Sequence, residues 1–521
     1  MLKKYFTPLN IVFGLEVIVV ALASLGLIPR EALLFWTGLA VFYMIFSPVK
    51  DSLWLTAASI PLFVALPITE SFDTLANWRV IIAILFLCLF FKNGISLNLV
   101  KDKNGRWRIK ENLKHYWVEY FSLAFLILAA VSVFFADYKI MSVKKLLFLV
   151  NIFLLFLIAR NLIRDKQSIL EFLKALAVGG AVVIAGALVQ FFSVLFVFTL
   201  NAFWGFWVNN VIPVFYGQGL AELLSYSNTW FAYYESAPAT LRLFSIFPDS
   251  HSFAMTCVLL APIFMALAFY YAGHKKLRLF YWILAGLAFF GIVFSGSRGA
   301  WVSAVPTFIV FAYLYLKKYE IPLAKKIFIS FGIFGLIFIA YSAGYPFMLY
   351  KFQSWQTGSE ISGDINFFER AKSISNADEI SNKGRLEIWA ATLKSISQKP
   401  VFGVGLGNYV NVLDEKASAA KKGASAHNLY LDFAAEIGIP GALFLLAMFG
   451  DILYTSWLVF RSRIEPYFKF FALMFGLYFI WILCYSLFDV VLINDKVLLL
   501  FMGSAAVLYN LRNIIFNPEK L

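Results

Sequence analysis

Apolar stretches follow one another along this chain, separated by short polar turns rather than by the broad charged surfaces of a soluble protein. A helix needs roughly 20 apolar residues to cross a hydrocarbon core of about 30 Å. On that measure the windows near 10–28, 32–48, 52–68, 80–91, 118–136, 146–163 and 169–199 predict spans. A second set is predicted near 251–272, 279–295, 300–316, 327–343, 439–460, 468–488 and 496–511. The 80–91 window is short and could be re-entrant, which leaves about 12–14 transmembrane helices. A membrane β-barrel would show alternation over about 10 residues per strand, and the chain does not have it. The expected fold is therefore an all-α polytopic membrane protein.

Composition agrees with this pattern. Of the 521 residues, 61% are hydrophobic, 19% aromatic and only 14% charged, and the mean hydropathy is +0.78. A net charge of +14 would suggest nucleic acid in a soluble protein. In a membrane protein it reflects Lys and Arg retained in cytoplasmic loops, so no nucleic-acid partner is expected. Cys88, Cys257 and Cys484 each sit alone in an apolar run and read as core packing. Lys3-Lys4 and the apolar run after them outline a signal peptide, but Glu16 falls inside that run and another apolar window follows at once. An uncleaved first span is expected.

Placing the N-terminus inside sorts about 25 Lys and Arg into cytoplasmic segments, about 8 into short outer loops and about 10 into one long outer loop. The strongest inner marker is Lys92 to Lys114, with Lys101, Lys103, Arg106, Arg108 and Lys110. Lys275-Lys276 and the Lys317-Lys318 to Lys325-Lys326 hairpin support it. Both termini then lie in the cytoplasm. The chain divides into an N-terminal bundle (1–200), an outer aromatic loop with spans (201–343), a long outer loop (344–438) and C-terminal spans (439–521).

Candidate chemistry gathers on the outer side. Ser295-Gly-Ser-Arg298-Gly-Ala-Trp301 sets a cation in a short outer loop, where the positive-inside rule disfavours it. A guanidinium fork there suits phosphate oxygens, or simply snorkels to headgroups. Gly384-Arg385-Leu-Glu-Ile-Trp389 opens an amphipathic helix in which Leu386, Trp389, Leu393 and Ile396 recur until Pro400. Arg385 at such a helix start opposes the dipole, which favours an anionic partner over a plain solvated charge. The glycine-rich Pro400 to Tyr409 run could offer backbone N–H groups to a ligand.

His427, in Ala426-His-Asn-Leu-Tyr-Leu-Asp432-Phe-Ala-Ala-Glu436-Ile-Gly438, stands at the start of a short helix that ends at Gly438. An imidazole there suits proton transfer, against the commoner structural role of a lone histidine. Arg242, Asp249 and His251 lie together where another span begins, with Asp249 or Ser250 suited to capping it. Arg242 is expected to face the site. The aromatics from Trp204 to Tyr234 suit an interfacial belt, or stacking on sugar rings. His251 and His427 have no His or Cys at ligand spacing and no Asp-X-Asp motif is present, so metal-independent chemistry without a cofactor is expected.

These four blocks, taken in sequence order from Arg242 to His427, resemble the O-antigen ligase and polymerase superfamily over roughly residues 240–460. The resemblance implies a GT-C-like membrane glycosyltransferase in the bacterial inner membrane, acting on its outer face. It would move a glycan from undecaprenyl diphosphate to a hydroxyl of a glycan, lipid or protein acceptor. It implies that Arg298 and Arg385 bind the donor diphosphate, with Arg242 as a secondary basic position, and that His427 acts at the acceptor hydroxyl. His251 departs from the pattern, where Asn is more usual. A polymerase would use the same site. A lipid-linked glycan transporter or flippase would instead be expected to pair ionisable groups near the membrane midplane, where Glu16 is the main candidate.

Overall fold

A computed structural model of the chain describes residues 7–69, 73–94, 116–197, 199–225, 231–234, 237–316, 380–413 and 425–516, with scattered positions between 325 and 354. It is a helical membrane protein. The N-terminal part holds α1 (Pro8–Ser24), α2 (Ala32–Phe46), α3 (Val49–Ser59), α4 (Trp78–Asn93), α5 (Trp117–Ser132), α6 (Lys139–Leu162) and α7 (Lys166–Phe196). Short helices α8 (Leu200–Phe206), α9 (Ile212–Tyr216) and α10 (Gln218–Ser225) follow. The second part holds α11 (Ser250–Tyr270), α12 (Lys275–Phe294), α13 (Arg298–Leu316), α14 (Ile380–Gln398), α15 (Leu429–Arg461), α16 (Pro466–Tyr485) and α17 (Asp495–Phe516). Two antiparallel ribbons, Ala65–Leu66 with Leu75–Ala76 and Phe231–Tyr234 with Ala237–Leu241, are the strands among the described residues.

Among the described residues, eight helices are long and apolar enough to cross a membrane: α5, α6, α7, α11, α12, α15, α16 and α17, with α1, α2 and α13 as shorter apolar helices. The expected 52–68 span is not one helix. Pro61 has no N–H to donate, and α3 passes into a 3-10 turn over Ile60–Leu62 and then into the first ribbon. This segment is buried from Leu53 to Leu66 almost throughout, so its apolar content serves the protein interior. Most of the 327–343 window, the Lys101–Lys110 marker and most of the long outer loop fall outside the described residues.

Helix α11 is the central post. Every residue from Ser252 to Ala268 is buried, against α12, α16 and α7. Its contact with α7 depends on Gly180, where a Cβ would lie 2.5 Å from Leu260 Cδ2 and 2.9 Å from Phe264 Cζ. At one end of the bundle α11 begins, α12 ends, α13 begins, α15 begins and α16 ends. The other end is tied by polar contacts between α5, α6, α15 and α17. Arg160 donates to Glu119 (2.9 Å) and to Asn510 (2.7 Å), Tyr509 donates to Asp451 (2.7 Å), and Arg512 donates to Thr455 (3.0 Å). Buried Glu16 accepts from Ser59, joining α1 to α3.

Helix α15 is bent where the sequence puts an end to its first segment. Gly438 has φ 79° and ψ 172°, a region open to glycine and costly for other residues. Ile439 N–H turns outward to Pro400 C=O (2.8 Å), and Pro440 removes the next donor. A Cβ on Gly438 would collide with the Val401 carbonyl. Gly438→Ala should therefore lower the thermal midpoint in detergent, at a cost of about 1–3 kcal/mol. Gly450→Ala is the control, because it lies in regular helix with open space around it. Equal midpoints for the two variants would show that the bend is not required.

Candidate functional site

The turn between α12 and α13 organises one end of the bundle. Gly296 has φ 64° and lets Ser295–Ser297 fold back over the helix ends. The stretch leading to α11 lies along this turn: Leu243 N–H donates to Phe294 C=O (2.8 Å), and Arg242 Nε donates to Ser295 C=O (3.1 Å). Gln190 of α7 holds the same stretch, accepting from Phe244 and Ser245 N–H and donating to Ser245 C=O. Asp249 then caps α11, accepting from Ser252 N–H (2.7 Å). Its role is structural, as one of the sequence alternatives had it.

His251 follows at the first turn of α11 and is the hub of the site. Its Nε2 lies 3.2 Å from Arg242 Nη2, and its Nδ1 lies 3.0 Å from Ser297 Oγ and 2.5 Å from Tyr485 Oη. A guanidinium only donates, so Nε2 accepts and the ring proton sits on Nδ1, facing the two hydroxyls. Ser297 and Tyr485 are themselves 2.7 Å apart. Arg242, Arg298, Arg385 and His427 all act on His251 electrostatically. Arg242 thus touches this imidazole, and Arg298, Arg385 and His427, from three other stretches of sequence, lie close enough to act on its charge.

Asp489, in the short loop between α16 and α17, completes this cluster, with Oδ2 3.7 Å from His251 Nδ1. Burial first, and then the Asp249 carboxylate, raise its pKa from an ordinary 3.8 to about 7, against the opposing pull of the Val490 N–H, Arg385 and Arg242. Ser297, Tyr485 and Asp489 were not singled out from sequence. The available signal was a lone carboxylate in a short loop on the same side as Arg298, next to a tyrosine at the end of a span.

His427 stands just before α15 with φ 46°. Asn428 caps the helix, accepting from Tyr430 N–H (3.0 Å) and Leu431 N–H (3.1 Å), and Leu429 N–H reaches Ser486 C=O (2.8 Å). The imidazole is largely buried, and its Nδ1 has no hydrogen-bond partner among the described residues. Burial first, and then the Arg385 guanidinium, lower its pKa below the ordinary 6.5. At neutral pH it is a neutral ring with a lone pair to offer.

Three expectations need correction here. Helix α14 begins at Ile380, so Arg385 lies in its second turn and the opposition to the helix dipole is weaker than supposed. Leu386 and Leu393 are exposed, while Thr392 and Ile396 face inward, with Thr392 Oγ1 2.5 Å from Tyr409 Oη. The inward stripe runs through Thr392 because α14 packs on the 3-10 turn Tyr409–Val412 and on α15. Backbone N–H groups of the glycine-rich run are used internally: Val404 N–H donates to Ala435 C=O, Gly405 N–H to Glu436 C=O and Leu406 N–H to Ser132 Oγ.

In the aromatic region, Trp207 stacks on Phe203 (5.1 Å) and meets Phe244 edge-on (5.7 Å), which makes it interior packing. Tyr226 and Trp230 lie outside the described residues. Among the described residues no three His, Cys, Asp or Glu side chains are grouped as a metal would require.

Residues 283–446 match a family model described as O-antigen ligase. No curated protein matches the chain. The matched segment contains Arg298, Arg385 and His427, whereas Arg242, His251, Tyr485 and Asp489 lie outside it.

The raised pKa of Asp489 has a consequence for stability. The folded state holds this proton up to about pH 7, while the unfolded chain loses it near 3.8, so the group costs stability increasingly as pH rises between those values. Asp489→Asn should gain on the parent protein over that interval, with the gain levelling above about pH 7. Thermal unfolding in detergent as a function of pH measures it, and a pH-independent difference would contradict a buried neutral acid.

Proposed function

We propose, from the match of residues 283–446 to the O-antigen ligase family model, that the chain acts as a member of that family and transfers a glycan from undecaprenyl diphosphate to an acceptor hydroxyl on the outer face of the bacterial inner membrane. The observation that carries this is the convergence of Arg242, Arg298, Arg385 and His427 on His251 at one end of the helical bundle. Guanidinium groups at a membrane boundary match the chemistry of a lipid diphosphate, whose oxygens accept the fork of donors bidentately.

The bond between sugar C1 and the diphosphate oxygen breaks, and its electron pair leaves with the lipid diphosphate. Arg298 and Arg385 stabilise that charge, with Arg242 supporting them through its contact to His251. His427 accepts the proton of the acceptor hydroxyl as its oxygen attacks C1 from the opposite side, inverting the anomeric centre. The lowered pKa of His427 keeps it in the accepting form at neutral pH. A polymerase would differ from a ligase only in using a lipid-linked glycan as acceptor.

Alanine at Arg298 or Arg385 should lower transfer in reconstituted vesicles by about 10²–10³-fold, and alanine at His427 should lower it at least as far. Full activity in all three would sink the mechanism. Because His427 must be neutral to act, the acid limb of the rate profile should fall below pH 6.5 and move toward that value in Arg385→Gln. Products then separate the two acceptor types: a ladder on undecaprenyl diphosphate marks polymerisation, and a single transfer to a foreign acceptor marks ligation.

A further inference from the structure

The backbone that delivers His427 is held from two directions. Ala426 is fully buried; its N–H donates to Asp432 Oδ1 (2.9 Å) and its C=O accepts from Trp389 Nε1 (2.9 Å). The two peptides on either side of Ala426 are therefore each fixed by one side chain. This matters because His427 itself sits at φ 46°, a backbone region that an L-residue leaves unless its surroundings hold it there.

Asp432 and Glu436 lie four residues apart on α15 and are both buried, which places two carboxylates on one helix face. Lys145 of α6 reaches between them, with Nζ 2.5 Å from Glu436 Oε2 and 3.9 Å from Asp432 Oδ2, over the ring of Phe433 at 5.7 Å. Without this ammonium, two adjacent buried charges of one sign would have to protonate or separate. Either change weakens the charged acceptor that Asp432 offers to Ala426. Trp389 is one helical turn beyond Arg385 on α14, so its bond to Ala426 also sets the spacing between the Arg385 guanidinium and the His427 imidazole.

We propose that Lys145, Asp432 and Trp389 are positioning residues for His427, fixing the Ala426 backbone so that the imidazole and Arg385 are held in register. This rests on the catalytic role of His427 proposed above. Lys145 lies outside the segment that matches the ligase family, so the register depends on a helix from the N-terminal part.

The test uses Lys145→Met, Lys145→Arg, Asp432→Ala, Asp432→Asn and Trp389→Phe, with His427→Ala as reference, in full-length protein in vesicles, titrated with the lipid-linked glycan donor. Misplacing a reacting group by about 1 Å costs up to 10²-fold in rate. Lys145→Met, Asp432→Ala and Trp389→Phe should therefore each lower kcat by about 10- to 100-fold, with donor KM little changed. Asp432→Asn keeps an acceptor and should lose less than Asp432→Ala, and Lys145→Arg should recover part of the rate. A loss expressed mainly in donor KM, or wild-type kcat in Trp389→Phe while His427→Ala is inactive, would overturn the inference and leave the proposed function standing. If Lys145→Met does not fold, Trp389→Phe decides alone, since it removes one N–H donor.

If His427→Ala is itself fully active, the functional reading fails instead. Positioning is then judged by the rate at which diethyl pyrocarbonate modifies His427, read by mass spectrometry. That rate should rise in Trp389→Phe as the imidazole is released, and an unchanged rate would overturn the inference.

Discussion

Every charge carried into a bundle that crosses a membrane must be matched where water cannot reach it, and this constraint shapes both ends of the molecule. At one end the matching is between side chains. Arg160 meets Glu119, Arg512 meets Thr455 and Asp451, and the four helices that supply them are thereby fixed to one another. At the other end the balance is different. Three guanidinium groups gather around His251, while the nearby carboxylates are Asp249, committed to capping α11, and Asp489, which holds its proton to about pH 7. Around His251 itself, the guanidinium groups among the described residues outnumber the ionised carboxylates.

His251 shows how a departure from the expected residue fits this balance. An asparagine there would offer a donor and an acceptor on a short amide. The imidazole offers the same pair on a longer ring, and so spans from Arg242 on one side to Ser297 and Tyr485 on the other. It stays neutral in that role, because Arg242 occupies the Nε2 lone pair. The ring thus links the α11 end to α16 without adding to the positive charge.

Hydropathy windows located most of the helices, since apolar length is what a bilayer selects. They did not tell which helices face lipid. The α5 and α11 spans have the same mean hydropathy of 2.2, yet the windows are 28% and 94% buried. The 52–68 window did not give one helix for the same reason, because an apolar run interrupted by Pro61 can line the interior as a helix, a turn and a short strand. For the site, Arg298, Arg385 and His427 were legible as polar residues in places where local structure gave them little to do. Tyr485 and Asp489 were hidden, because their significance lies in a contact with His251 more than two hundred residues away. The fate of the glycine-rich N–H groups was equally hidden, since partners such as Ala435, Glu436 and Ser132 are set only by packing.

The segment that matches the ligase family is not self-sufficient. Gln190 of α7 holds the stretch before α11, which pairs with Phe294 and Ser295 inside the matched segment, Ser132 of α5 receives the backbone of Leu406, and Lys145 of α6 neutralises the helix behind His427. All three come from helices that read only as generic spans. The matched segment is accordingly not a portable module. Grafting residues 283–446 onto the N-terminal helices of a relative would preserve the recognisable motifs and lose their footing, and these three side chains are the ones such a chimera would have to carry with it.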